Sequence, residues 1–130
     1  MATVADVMTP SVLTVAPEAT LVETAAEMSA RQVGAVLVLE DGKATGILTE
    51  RDVLRAVGEG AVSSAKVSDW MTRNPETIEP SESTDMAATL MIHGGFRHLP
   101  VLEEDGNVAG IVSIRDLMRV VLDDAAPKGV

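Results

Sequence analysis

The sequence predicts a mixed α/β fold in which one unit is written twice, two pseudo-symmetric halves packed sheet to sheet. The first observation behind this is registered repetition, which is sought before any other pattern. VADVMT at 4–9 returns as VSDWMT at 67–72, and Asp6/Asp69, Met8/Met71, Pro17/Pro80 and Met28/Met91 are each 63 residues apart. GILTERDVLR at 46–55 matches GIVSIRDLMR at 110–119 at an offset of 64. The second observation is a helix near the start of each copy, capped in the first, and the third is a pair of short apolar runs around an Asp-Gly turn.

The elements follow in order. A short turn of helix at 4–8 leads into a strand near 12–15. Thr20-x-x-Glu23 then caps a helix that sets Leu21, Ala25 and Met28 on one face. Val36–Leu39 and Thr45–Leu48 read as strands joined by Glu-Asp-Gly-Lys, a hairpin signal, and a second helix covers 50–57. The second copy predicts a strand near Thr77, a helix at 83–93, strands at 98–102 and 108–112, and a helix at 114–122. The slip from 63 to 64 falls around Asp41-Gly42 and Asp105-Gly106, a loop where insertions are tolerated. The copies are thus assigned to 1–60 and 67–123, with a linker at 61–66 inside the stretch GEGAVSSAK, and a flexible tail at 124–130. One such unit buries little alone, so two packed together complete a core and leave two equivalent clefts between them.

Composition narrows the function. The chain has 130 residues, no cysteine and a net charge of −10. Without cysteine, disulfide frameworks, thiolate metal sites and a Cys nucleophile are excluded. The acidic balance argues against nucleic acid, which needs clustered Lys and Arg, yet leaves room for one small phosphorylated ligand. No apolar run approaches a membrane span and the N-terminus carries no signal-peptide pattern, so a cytoplasmic protein is expected. Aromatics are only 2% of the chain, so a base would be held by aliphatic walls and backbone groups.

The segments Gly46-Ile-Leu-Thr49-Glu-Arg-Asp52 and Gly110-Ile-Val-Ser113-Ile-Arg-Asp116 carry the chemistry. Each is a strand ending in a hydroxyl residue, with a carboxylate three positions on in the first turn of a helix. The free amides of a helix start favour an anion. Thr49 or Ser113 adds a hydroxyl donor for a phosphate, and Asp52 or Asp116 accepts from a ribose cis-diol. Gly46 and Gly110 permit close backbone approach. The same spacing is also that of a capping box, a purely structural alternative.

These segments, with the two VxDxMT starts, the TLVETAAEM and STDMAATLM helices and FRHLPV, resemble the cystathionine-β-synthase (CBS) domain family in its tandem form, the Bateman module. The resemblance spans about Val4 to Leu122. It implies βαββα repeats paired as a disc, regulation rather than catalysis, and AMP, ADP, ATP or S-adenosylmethionine as ligand. It implies that Asp52 and Asp116 meet ribose hydroxyls, with Thr49 and Ser113 beside the ribose and phosphate. It places the basic Arg97 and His98 before the Leu-Pro-Val strand, facing phosphate, where the first copy has Gly34 and Ala35. The clefts are therefore expected to be unequal, with Arg97 and His98 reaching toward Asp52 and the Asp116 cleft poorer in cations. Adenine is expected against Val12 and Thr14 or Pro75 and Thr77, with Ile47 and Ile111 closing the other side.

Other readings weigh less. His93 and His98 lack an acidic partner at ligand spacing, so no metal is expected. Arg51 and Arg115 read as solvated helix charges, and the methionines as core or dimer seam. No G-x-S-x-G, P-loop or H-E-x-x-H is present, so no enzyme and no required cofactor are expected. Apolar helix faces left over after pairing predict a homodimer, and an effector protein is a further possible partner. The alternative function is a ligand-independent dimerisation scaffold.

Overall fold

A computed structural model describes residues 2–125, with side chains described to residue 122. Its elements are α1 (Val4–Val7), β1 (Thr14–Val15), α2 (Leu21–Arg31), β2 (Ala35–Glu40), β3 (Lys43–Thr49) and α3 (Glu50–Gly58). They continue with α4 (Val67–Trp70), β4 (Thr72–Arg73), α5 (Thr84–Gly94), β5 (His98–Leu102), β6 (Val108–Ser113) and α6 (Ile114–Ala125). The fold is the mixed α/β one expected. The last helix continues three residues past the anticipated end at 122, into the stretch assigned to the tail, whose remainder lies outside the described residues.

The compact units do not follow the sequence repeats. One is Val12–Pro75, and the other joins the residues up to Ser11 with those from Glu76 onward. Each repeat therefore lends its opening segment to the other unit. In the Val12–Pro75 unit the strand order is β1-β2-β3-β4, with β1 parallel to β2 and the remaining pairs antiparallel. β4, which sequence patterning did not anticipate, pairs Thr72 with Ile47 and Arg73 with Gly46. In the other unit β5 and β6 form the hairpin, Ile78 bridges Val101 in parallel, and Thr9 bridges Ile111 antiparallel. The strand expected near Thr77 is thus one bridge at Ile78, and that near 12–15 is confined to Thr14–Val15.

Hydrogen bonds stitch the lent segments in place. Val4 N–H donates to the Glu82 carbonyl at 2.8 Å and Ala5 N–H to Pro80 at 2.9 Å. Their counterparts run from Val67 N–H to Ala19 and from Ser68 N–H to Pro17. Leu21 N–H also donates to Ala65, which is buried, so the end of the expected linker is part of the fold. Thr3 N–H, and then the Thr3 hydroxyl, hold the Asp6 carboxyl below its ordinary value by stabilising the carboxylate. That contribution to α1 is present above the ordinary carboxylate range and is lost as pH falls through the depressed value.

Each sheet carries helices on one face. Val36, Val38 and Leu48 pack with Leu21 and Met28 of α2 and Ala56 of α3 in one core. Leu99, Val101 and Val112 pack with Ala87 and Met91 of α5 and Leu117 of α6 in the other. Thr20 and Ser83 cap α2 and α5 by accepting from Glu23 N–H and Met86 N–H, both at 3.1 Å. The hairpins differ where the repeat slips: residues 40–43 separate Leu39 from Ala44, whereas 103–107 separate Leu102 from Val108. The first turn is Asp41-Gly42, both at positive φ (53° and 79°), a geometry glycine accepts without cost.

Candidate functional site

The two Thr/Ser-x-x-Asp motifs occupy the same place in the two units, where a central strand becomes a helix. β3 ends at Thr49 and α3 begins at Glu50; β6 ends at Ser113 and α6 begins at Ile114. Strand alternation fixes what surrounds them. Thr49 pairs with Ala35, and Ile47 with Leu37, which also pairs with Thr14, so Thr14, Ile47 and Thr49 share the face opposite the helices. In the other unit Ser113 pairs with His98 and Ile111 with Pro100, and Ile78 N–H donates to the Pro100 carbonyl beside Thr77. Thr14, Ile47 and Thr49 in one unit, and Ile111 and Ser113 in the other, thus fall on one sheet face. Val12 and Pro75 lie half-buried at the two ends of the Val12–Pro75 unit.

Both carboxylates are buried, Asp52 and Asp116 each at 7% exposure. Asp52 Oδ2 accepts from Thr49 N–H at 2.9 Å and from Thr49 Oγ1 at 3.1 Å, and Asp52 Oδ1 accepts from Arg55 Nη1 at 3.3 Å. Asp116 repeats the set with Ser113 N–H at 2.8 Å, Ser113 Oγ at 3.0 Å and Arg119 Nη1 at 3.3 Å. Asp116 N–H also donates back to Ser113 Oγ at 3.2 Å. The motif is therefore a working helix cap. It also holds a hydroxyl and a carboxylate together at the mouth of a helix.

Arg55 and Arg119 are the residues that reading the sequence missed. Arg51 and Arg115 are exposed, as expected of solvated helix charges, while the partner of the buried carboxylate is the arginine three positions after it. The signal was present as Asp-x-x-Arg in both copies, since residues three apart on a helix are neighbours. The copies differ at the next layer. Arg55 lies over the Trp70 ring at 5.4 Å from its centroid, and the repeat has Val7 at the position matching Trp70.

The glycines have a packing reason of their own. A Cβ on Gly46 would stand 2.6 Å from Met71 Sδ and 3.1 Å from the Thr72 carbonyl. On Gly110 it would stand 2.6 Å from the Thr9 carbonyl and 3.0 Å from Met8 Sδ. The space anticipated for a ligand's approach is thus filled, in that direction, by the segment lent from the other repeat. Arg97 is exposed at the entrance to β5, and its carbonyl accepts from Ile114 N–H at 2.8 Å. His98 is half-buried and registers with Ser113, so the backbone sets both residues beside the Asp116 motif of their own unit. His93 is exposed in the last turn of α5. Among the described residues no group of three or more His, Asp or Glu side chains could hold a metal ion. No helix among them is long and apolar enough to cross a membrane.

The sequence model of the CBS domain matches residues 4–59 and 67–123. The chain is 37% identical over 118 residues to the CBS domain-containing protein YhcV of Bacillus subtilis, covering 90% of this chain and 84% of that one. Among solved structures, the CBS domain pair of protein MJ0100, in complex with 5′-methylthioadenosine and S-adenosyl-L-methionine, superposes with a TM-score of 0.89. It shares 23% identity, covers 95% of this chain and 98% of its own, and speaks for the fold. CBSX2 of Arabidopsis thaliana, in complex with AMP, gives a TM-score of 0.82 at 26% identity, covering 95% and 98%.

Proposed function

The chain belongs to the CBS domain family, and from that premise we propose that it is a cytoplasmic, non-catalytic regulatory module binding an adenosine-type ligand at its Asp52 and Asp116 motifs. AMP, ADP, ATP and S-adenosylmethionine are the candidates. The observation that carries this reading is a buried carboxylate paired with a half-buried hydroxyl, repeated at the end of the strand that presents Ile47 or Ile111 on the same face. AMP in the CBSX2 structure and S-adenosyl-L-methionine in the MJ0100 structure support the ligand class. A net charge of −10 favours AMP or a cationic sulfonium over ATP, because each added phosphate raises repulsion.

The donors around Asp52 define how a diol would bind. A carboxylate offers about four acceptor positions, and three are taken by Thr49 N–H, Thr49 Oγ1 and Arg55. Two ribose hydroxyls exceed what remains, so one donor has to leave. Thr49 Oγ1 is the one that a phosphate rewards, by accepting its proton instead. Ser113 stands in the same position at Asp116.

The same hydrogen bonds favour a second reading, a scaffold whose motifs only cap helices. A thermal-shift panel with AMP, ADP, ATP and S-adenosylmethionine separates the two. Ligand at 100 times its dissociation constant adds about 2.7 kcal/mol of stability. The sensing reading predicts a shift that Asp52→Ala with Asp116→Ala abolishes while the variant still melts cooperatively. No shift with any ligand, together with destabilised variants, leaves the scaffold.

A further inference from the structure

The repeats also differ on the outer face of their first long helices. On α5, Met86 and Leu90 stand where α2 has Glu23 and Glu27. Together with Ile78 and Leu102, these two residues line a hollow of about 470 Å³, within the roughly 300–1,000 Å³ typical of binding clefts. Its rim carries Glu79, Glu82, Glu103 and Glu104, and no Lys, Arg or His lines it. No ion pair among the described residues involves these four carboxylates. The first repeat has Ala16 and Ala19 at the positions matching Glu79 and Glu82, so the Met86 and Leu90 part of the floor and two of the four carboxylates belong to the second repeat alone.

We infer that this hollow docks a cationic segment of another protein, one that inserts a large apolar side chain between flanking lysines or arginines. The apolar floor supplies burial, and four unpaired like charges around it supply complementarity to a basic partner and rejection of an acidic one. A second copy of this chain, itself at −10, is the wrong charge for the site. Met86 at 45% exposure remains open to such a partner.

The probe is a fluorescein-labelled peptide, Lys-Leu-Leu-Lys-Leu-Leu-Lys, with Lys-Ala-Ala-Lys-Ala-Ala-Lys as its control, followed by anisotropy. The leucine peptide is expected to bind the full chain at least about tenfold more tightly than the alanine peptide. Met86→Glu with Leu90→Glu, which installs the residues α2 tolerates at Glu23 and Glu27, is expected to remove that preference while the circular-dichroism melt stays cooperative. Glu82→Lys with Glu103→Lys, two exposed positions, is expected to weaken the leucine peptide by a similar factor. Equal binding of the two peptides, no binding of either, or wild-type affinity in both double variants overturns the inference.

Discussion

Asp52 and Asp116 show how one side chain serves two ends. Each accepts from the N-cap of its helix, which makes the motif part of the fold, and each keeps an oxygen paired only to an arginine that is mostly exposed. An exposed guanidinium contributes little to such a pair, and the same oxygen keeps a second acceptor position for a ribose hydroxyl. Sequence spacing revealed the carboxylate and the hydroxyl, because Thr-x-x-Asp implies one helical turn. It did not reveal Arg55 and Arg119, since helix charges three apart are common and burial of the carboxylate singles them out. A different residue supplies the clearest stability test. Thr24 is buried at 2% exposure, its hydroxyl has no partner among the described residues, and the matching position of the second repeat is Ala87. Thr24→Val removes an unsatisfied hydroxyl at nearly constant volume and is expected to raise urea-unfolding stability by about 1 kcal/mol.

At the scale of elements, the helices and hairpins were legible because their signals are local. Hydroxyl caps at Thr20 and Ser83 and the Asp41-Gly42 turn need no knowledge of the rest of the chain. β4 left no such mark. It is two residues long, and its only reason to be a strand is the open edge of β3, reached from another part of the sequence. The same distant approach gives the glycines their packing role. It also ranks them, because a backbone oxygen cannot move aside as a methionine sulfur can. Gly110→Ala, aimed at the Thr9 carbonyl, is expected to cost about 2–3 kcal/mol, and Gly46→Ala, aimed first at Met71 Sδ, about 1 kcal/mol. Denaturant titration of the two variants side by side checks the order; a larger loss at Gly46 contradicts it.

For the whole molecule, the repetition was evident from the sequence and its exchange of opening segments was not. The repeats matched at 4–59 and 67–123 lie on either side of the 61–66 stretch, whereas the compact units divide near Ser11 and Pro75. The helical face of each unit also carries exposed apolar side chains: Leu54 and Val57 on α3, and Met118, Val121 and Leu122 on α6. Exposed stripes of this kind mark association surfaces, and a homodimer is the proposed assembly. Sedimentation at micromolar concentration is expected to report a dimer for the native chain and a monomer for Leu54→Lys with Met118→Lys. A monomeric native chain would refute this assembly.

The central claim is that the two buried carboxylates grip the hydroxyls of a ribose, and its most direct test changes the ligand rather than the protein. Calorimetric titration compares AMP with 2′-deoxy-AMP, which keeps the base and phosphate and loses one hydroxyl of the diol. A site built to hydrogen-bond a hydroxyl rejects the analogue that lacks it. The account predicts saturable AMP binding and at least a tenfold weaker response to the deoxy form, the tenfold corresponding to about 1.4 kcal/mol. Equal binding of the two nucleotides, or none of AMP, would contradict it.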